Sequence, residues 1–275
     1  MEKKKIEIFK RYKNKTGIKK LLQENFKFNK NLRFHYINHH LSHIASGYYL
    51  TDFKKAICLT IDGSGDFSSL TISQCNDNEI NIIKQIFFPN SLGIFYESMT
   101  QFLGFKYYGE EYKVMGLAPY GKPKYFDLLK KNLFKITDNF FELNLLYFNH
   151  QRNNFSYSFS NQPNQVQIYN KKFINLINKE NDNNINFKKD FAASIQKVYE
   201  FYFEKIINYI EKLNYSKNLI FSGGCALNSS ANKSLINNIF FENIFIPYSP
   251  GDGGGAIGSA LYLYNQSKKK KTFLK

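Results

Sequence analysis

The sequence predicts an α/β fold, and three stretches carry that prediction. Lys55 to Asp62, KAICLTID, is an apolar strand that ends in a carboxylate and then Gly63-Ser64-Gly65. Asn218 to Ser222 is a second apolar strand, followed by Gly223-Gly224 and a helical pattern. Ile244 to Pro247 is a third, followed by a glycine loop at 251–255 and a helix at Ala256 to Tyr264. Strands that alternate with helices across glycine turns are the pattern of α/β domains. The chain's 275 residues, 43% of them apolar, are enough to bury a core.

The elements follow in order. Residues 1–24 set Ile6, Phe9, Ile18, Leu21 and Leu22 among lysines, an amphipathic helical pattern interrupted at Thr16-Gly17. Residues 33–38, RFHYIN, read as a short strand. His39 to Leu50 reads as a helix in which Ala45, Ser46 and Gly47 permit close packing. After the strand at 55–62, Ser68 to Gln74 and Ile80 to Phe88 continue an antiparallel meander. Residues 91–108 have helical periodicity, and Glu110 to Gly121 is a short helix ending in a Pro/Gly turn. Tyr125 to Phe134 is helical and Phe140 to Phe148 strand-like. Residues 149–189 are an Asn-rich excursion with a helix near Lys172 to Asn178. Asp190 to Leu213 is the clearest helix: Phe191, Ile195, Val198, Tyr202, Ile206 and Ile210 share one face, and Asp190 is the expected N-cap. The expected divisions are a basic helical segment at 1–33, a first lobe at 34–148, the excursion at 149–189, a second α/β lobe at 190–264 and a basic tail at 265–275.

Net charge is +16, but it is unevenly placed. Residues 1–33 carry +9 and residues 265–275 carry +5, which leaves +2 for everything between. Asn, Lys, Ile, Phe and Tyr, all heavily used here, share AT-rich codons, so a mutational bias accounts for part of the lysine. A charge confined to the ends gives a nucleic-acid partner little support. No apolar run approaches the roughly 18–20 residues of a membrane helix, so no membrane partner is expected. The first residues, MEKKKIEIFK, lack the apolar block of a secretory signal. Cys58, Cys75 and Cys225 are too widely spaced for a disulfide framework, which fits a reducing, cytoplasmic location.

Several residues carry chemistry. On a helix His39 and His43 share one face about 6 Å apart, a spacing suited to one metal ion, while His40 points elsewhere. Surface histidines also meet this spacing by chance. Asp62 ends an apolar strand before glycines that admit a ligand to the backbone; the plain alternative is a turn aspartate. Asp252, in SPGDGGG, is a second such carboxylate. Two histidines and two carboxylates suit Fe(II), Mn(II) or Zn(II) with positions open to substrate oxygens. Gly223 and Gly224 precede a helix N-terminus, where a phosphate or nucleotide can approach, but neither a Walker A nor a GxGxxG pattern is present. Asn228 lies one turn on, within reach of a ribose or phosphate, or is simply solvated. Gly253, Gly254 and Gly255 form a second such turn. Lys113 could reach a phosphate with Glu111 orienting it, or the two are an exposed charge pair. Cys225 has no histidine near it in sequence and reads as a packing residue.

Eight segments, in this order, resemble the ATP-dependent O-carbamoyltransferases of the nodulation-factor and antibiotic-tailoring type. They are HHLSHIASGYY (39–49), LTIDGSGD (59–66), FPNSLGIFYESMTQFLGF (88–105), GEEYKVMGLAPYG (109–121), FELNLLYF (141–148), DFAASIQ (190–196), SGGCALNSSAN (222–232) and SPGDGGGAIGSAL (249–261). The resemblance covers nearly the whole chain and is weakest over 149–189. It implies an actin/sugar-kinase/heat-shock ATPase-like fold, related to the tRNA threonylcarbamoyl-transfer proteins.

The activity it implies is transfer of a carbamoyl group from carbamoyl-adenylate to a hydroxyl of a small-molecule or glycan acceptor. The adenylate is made from carbamoyl phosphate and ATP in a separate domain. By motif, His39, His43, Asp62 and Asp252 correspond to ligands of one divalent metal, with Fe(II) expected. Gly223, Gly224, Asn228 and Gly253 to Gly255 correspond to nucleotide contacts. His39, Asp62 and Lys113 are the residues the resemblance implies to be catalytic, Lys113 in a motif that lines the same cleft. The resembled enzymes place a first β-hairpin before the histidine motif and an adenylate-forming domain after the last glycine loop. The expectation here is therefore the middle of such an enzyme, lacking the first part of lobe one, with the missing parts on a separate chain or the fragment inactive. Two rival readings are a tRNA threonylcarbamoyl transferase-like protein and a non-catalytic nucleotide-binding remnant.

Overall fold

The structure is a computed structural model that describes residues 17–27, 33–152, 166–177, 184–268 and 271. Residues 1–36 and 37–275 are two separate units. In the first, residues 17–25 are helical, in line with the amphipathic pattern; residues 1–16 of that pattern lie outside the described residues.

The second unit is built on a mixed five-stranded sheet whose strands lie side by side in the order 79–87, 68–76, 55–65, 218–222 and 243–245. Strands β1 (Lys55–Gly65), β2 (Ser68–Asn76) and β3 (Glu79–Phe87) form the expected antiparallel meander. Strand β6 (Asn218–Ser222) then pairs in parallel with β1, and β7 (Asn243–Phe245) in parallel with β6. Segments 34–148 and 190–264 therefore share one sheet.

Helices cover both faces of the sheet, because β1 is apolar on both. Ala56 and Cys58 face α1 (His39–Tyr48) and α8 (Asp252–Lys268), in a cluster with Ile44, Tyr48, Ile220 and Leu261. Ile57, Leu59 and Ile61 face the other way, into the larger core with Phe95 of α2 (Leu92–Phe102) and Phe191, Tyr202 and Ile206 of α6 (Ile185–Leu213). The period of two along a strand produces this division. The remaining elements are α3 (Glu111–Leu117), α4 (Phe126–Leu133), the two-residue hairpin β4 (Phe134–Lys135) and β5 (Glu142–Leu143), α5 (Lys171–Ile177) and α7 (Ser229–Ile236).

Four local expectations are corrected. Residues 33–38 form no strand; they lead into α1, whose cap is Asn38, with its side chain accepting from the N–H groups of His40 and Leu41. Helix α6 starts at Ile185, capped by Asn184. Asp190 lies inside it, where its carboxylate accepts from the Lys122 N–H at 2.8 Å and pairs with Lys124 at 2.6 Å. A tertiary tie has claimed the carboxylate that looked like a cap. Strand character over 140–148 is limited to Glu142–Leu143 and an isolated bridge from Phe148 to Tyr169, since Asn144 turns the chain into a 3-10 turn at Leu145–Tyr147. Last, the glycine loop at 251–255 is largely helix: α8 begins at Asp252, and Gly253 to Gly255 are its first turn.

Candidate metal centre and cavity

The site forms where β1 outruns its parallel partner. The β1–β6 pairing ends at Thr60 and Ser222, so Asp62 projects beyond the carboxyl end of β6, where α/β sheets bind ligands. One oxygen of Asp62, Oδ1, accepts from the Gly224 N–H at 3.0 Å. The other, Oδ2, lies 2.9 Å from Nε2 of His39 and 3.5 Å from Nε2 of His43. The two imidazoles sit one turn apart on α1 with their Nε2 atoms 3.0 Å apart. Asp252, the first residue of α8, brings Oδ1 to 3.4 Å from His39 and 3.7 Å from His43. Glycine is required at 65, because a Cβ there would stand 2.1 Å from the His39 ring.

The four donor atoms lie within 4.8 Å of one another. Ligand atoms held about 2.0–2.2 Å from one ion are about 3.0–3.5 Å from each other, close to the spacing seen here. Two ring nitrogens at hydrogen-bond distance, faced by two carboxylates, are a donor set that one divalent cation satisfies. The residues present fit a metal ion of that class.

Charge in this cluster makes stability depend on pH. Burial opposes the charged form of His39, but the Asp62 hydrogen bond and the charges of Asp62, Asp252 and Asp66 raise its pKa above 6.5. Burial likewise opposes the Asp62 carboxylate, yet hydrogen bonds and charge from His39 and His43 hold it well below 3.8. Burial pulls His40 down to about 4, and lowers His150 as well.

The signs follow from linkage. The His39 contribution is complete below 6.5 and is lost as pH rises through its raised folded value. The Asp62 contribution is present above 3.8 and is lost only as pH falls through its depressed value. His40 and His150 must stay neutral when folded, so stability also falls as pH drops from 6.5 toward about 4. Without metal these four groups together favour the folded chain most near pH 6.5; above about pH 8 the buried Lys271, lowered to about 8, acts in the opposite direction. A His39→Ala variant whose midpoint falls as steeply as that of wild type between about pH 6.5 and 8 in chelator would contradict the assignment.

A cavity of about 840 Å³ opens beside the cluster. Asp62 and Asp252 are in its wall, with Gly224, Asn228 and Gly253. Tyr96, Tyr199, Met115 and Leu227 supply apolar lining, and Glu97 and Glu111 two further carboxylates.

The profile of the family described as carbamoyltransferase N-terminus matches residues 5–261. The chain belongs to this carbamoyltransferase family. Protein sll1178 of Synechocystis sp. is 37% identical over 233 residues, which are 83% of this chain and 36% of that protein. Nodulation protein NolNO of Sinorhizobium fredii is 28% identical over 85% of this chain and 32% of its own length. The chain thus spans about a third of these relatives. Full-length HypF in its phosphate- and nucleotide-bound form is similar with a TM-score of 0.45 and 14% identity, over 89% of this chain and 37% of that one.

In this carbamoyltransferase-family chain, His39, His43, Asp62 and Asp252 come together, although Asp252 is 190 positions from Asp62. Gly224, Asn228 and Gly253 reach the cavity wall, whereas Gly223, Gly254 and Gly255 are not part of its lining. Gly223 has φ +89, and a Cβ on it would lie 2.3 Å from the Ile61 carbonyl oxygen. A Cβ on Gly254 would meet the Ser249 carbonyl oxygen at 2.0 Å; one on Gly255 would meet open space. The Asn228 side chain caps α7 through the Ala231 N–H and exchanges hydrogen bonds with Gln196 at 3.0 and 3.1 Å.

Lys113 is not in the cavity wall; its ammonium pairs with Glu110 rather than Glu111. Glu111 is in the wall, with no cation paired to it among the described residues. Its carboxyl pKa is raised, by burial first and by Glu110 second. Cys225 also lines the cavity, with its thiol pKa pushed up by burial and then by Asp62, as suits an inert packing residue. Sequence reasoning missed the Tyr96–Gln196–Asn228 network, in which the Tyr96 hydroxyl donates to Gln196 Oε1 at 2.8 Å. Gln196 ends the DFAASIQ segment, but nothing in that segment marks it as a hydrogen-bonding partner; its burial in α6 among large side chains sets it apart.

Proposed function

We propose that this chain is the transfer portion of an O-carbamoyltransferase: it moves a carbamoyl group from carbamoyl-adenylate to a hydroxyl of a small-molecule or glycan acceptor. The observation that carries the reading is the two-His, two-Asp cluster at the wall of a large cavity in a chain of the carbamoyltransferase family. The sheet order, a three-strand meander followed by two parallel strands, also supports the actin/ATPase-like fold that such a cavity would serve.

His39, His43, Asp62 and Asp252 would hold one divalent cation, with Fe(II) the expected ion. Such an ion supplies charge stabilisation for phosphate and carbamoyl oxygens. The glycine turns at Gly224 and Gly253 let the adenylate approach the backbone, and the apolar wall excludes water. In the transfer step the acceptor oxygen bonds to the carbamoyl carbon, the bond from that carbon to the adenylate phosphate oxygen breaks, and AMP leaves. Glu111 takes the proton the acceptor hydroxyl loses; a half-buried carboxyl with a raised pKa is suited to that work. The adenylate-forming activity belongs to a separate domain or chain.

The direct test supplies synthetic carbamoyl-adenylate and a panel of sugar and polyol acceptors to the purified chain, with the carbamoyl ester read by mass spectrometry. Ester that disappears with chelator is the expected result. Nucleotide binding without transfer overturns the enzymatic reading. Retention of tRNA at physiological salt would favour a tRNA-directed relative. Glu111→Gln is expected to lower kcat by about 100-fold or more while leaving KM for the adenylate nearly unchanged. An equal rise in KM would assign Glu111 to binding instead.

A further inference from the structure

His40 stands between the two histidines of the cluster; its ring meets theirs edge-on, 5.6 Å from His39 and 6.0 Å from His43, but its hydrogen bonds go elsewhere. It is fully buried, and both ring nitrogens are engaged. Nε2 lies 3.0 Å from the Ser68 carbonyl oxygen, which can only accept, so Nε2 carries the proton. Nδ1 must then accept, and its partner at 2.6 Å is the Thr60 hydroxyl. Thr60 has one proton to give, so its oxygen accepts in turn from Thr71, 2.7 Å away in the directly opposed position on β2. The order of donation is determined throughout: Thr71 to Thr60, Thr60 to His40, His40 to Ser68. Each donor and acceptor in this buried chain is used once, which leaves a single ring tautomer and a single ring orientation.

The chain of bonds joins three elements at one point. Thr60 is two residues before Asp62 on the same strand, so both side chains ride on one stretch of backbone. His40 is flanked by His39 on one side and His43 one turn further along the same helix. A second tie runs from the His39 N–H to Asp66 Oδ2 at 2.8 Å. Any rotation or sliding of α1 against β1 would change the approach of both imidazoles to Asp62, and it would also break the bonds of His40.

We propose that His40 is a positioning residue for the metal cluster: through Thr60 and Ser68 it sets the register of α1 against β1 and β2, and so the convergence of His39 and His43 on Asp62. The inference rests on the reading that the cluster binds a divalent cation. It assigns to the histidine between the two donors a role in the precision of the site rather than in ligation.

The test is Co(II) titration of the full chain, read by the visible d–d absorption, which reports both affinity and coordination geometry. Wild type should take up one Co(II). His40→Ala and the isosteric Thr60→Val should weaken Co(II) binding by about 10- to 100-fold and shift the band, the range expected when a partner that orients metal ligands is lost. Thr60→Ser keeps the hydroxyl and should restore wild-type affinity. His150→Ala is the control, since His150 is also buried but, among the described residues, hydrogen-bonds only to the Pro89 carbonyl. It should lower the thermal midpoint and leave Co(II) affinity intact. If His40→Ala fails to fold, the Thr60 pair carries the test alone. Wild-type affinity and spectrum in Thr60→Val, with only the thermal midpoint changed, would overturn the positioning role. Failure of the wild type itself to bind Co(II) would instead remove the metal reading, and this inference with it.

Discussion

Asp62→Asn is expected to abolish stoichiometric metal binding and to reduce carbamoyl transfer by more than about 100-fold, the upper end of what loss of a merely supporting partner costs. The substitution is nearly isosteric, so Oδ1 can still accept from Gly224 and the turn after β6 can keep its place. What disappears is the charge that faces both imidazoles through Oδ2. Asp62 is also the largest attraction raising the His39 pKa, so the variant should show a flatter alkaline fall in stability in chelator than wild type. Metal content by elemental analysis and the pH profile of unfolding measure the two effects separately. Full metal content in the variant would remove Asp62 from the ligand set.

Gly258→Ala is the second large effect, and it acts from outside the cluster. A Cβ at 258 would stand 1.9 Å from the Ser42 carbonyl oxygen and 3.0 Å from the Ser46 N–H nitrogen. These are backbone atoms, about 1.5 Å too close at the nearer contact, and they cannot swing aside. Helices α1 and α8 must part, breaking the Ser42–Ser259 hydroxyl contact at 2.9 Å. Overpacking of this kind costs about 1–3 kcal/mol, and more where backbone meets backbone. The same separation carries Asp252 away from His39 and His43, because α8 holds one of the four proposed ligands and α1 two, with Asp62 on β1. A lower urea midpoint and weaker Co(II) binding should therefore appear together. Gly255→Ala on the same helix meets open space and should be stabilising by up to about 1 kcal/mol, since alanine is the better helix former. Equal behaviour of the two variants would refute the close-packing argument.

Local features of this fold were legible because their causes are local. Strands β1 to β3 are apolar runs separated by short turns, and their limits in the structure fall within a few residues of the pattern. The His39–His43 pair was readable because a four-residue spacing on any helix puts two side chains on one face. The start of α6 was not readable in the same way. Asn184 and Asp190 are both good caps by type, and the choice fell to Asn184 because Asp190 is occupied by Lys122 and Lys124. Lys113 and Glu111 are a similar case: neighbours in one motif, one turned to Glu110 and the other to the cavity.

By itself the sequence determined the α/β class, the antiparallel meander and the carboxylate near the end of β1, since each depends on periodicity within a few residues; the glycine turns expected at 63–65 and 253–255 are strand and helix instead. The tertiary structure alone decided that β6 joins β1, that α8 lies against α1, and that Asp252 completes a set begun at His39. Those outcomes depend on contacts between segments up to about two hundred positions apart, where the close approach of Gly258 to Ser42 and the burial of His40 against Thr60 set distances that no local pattern encodes.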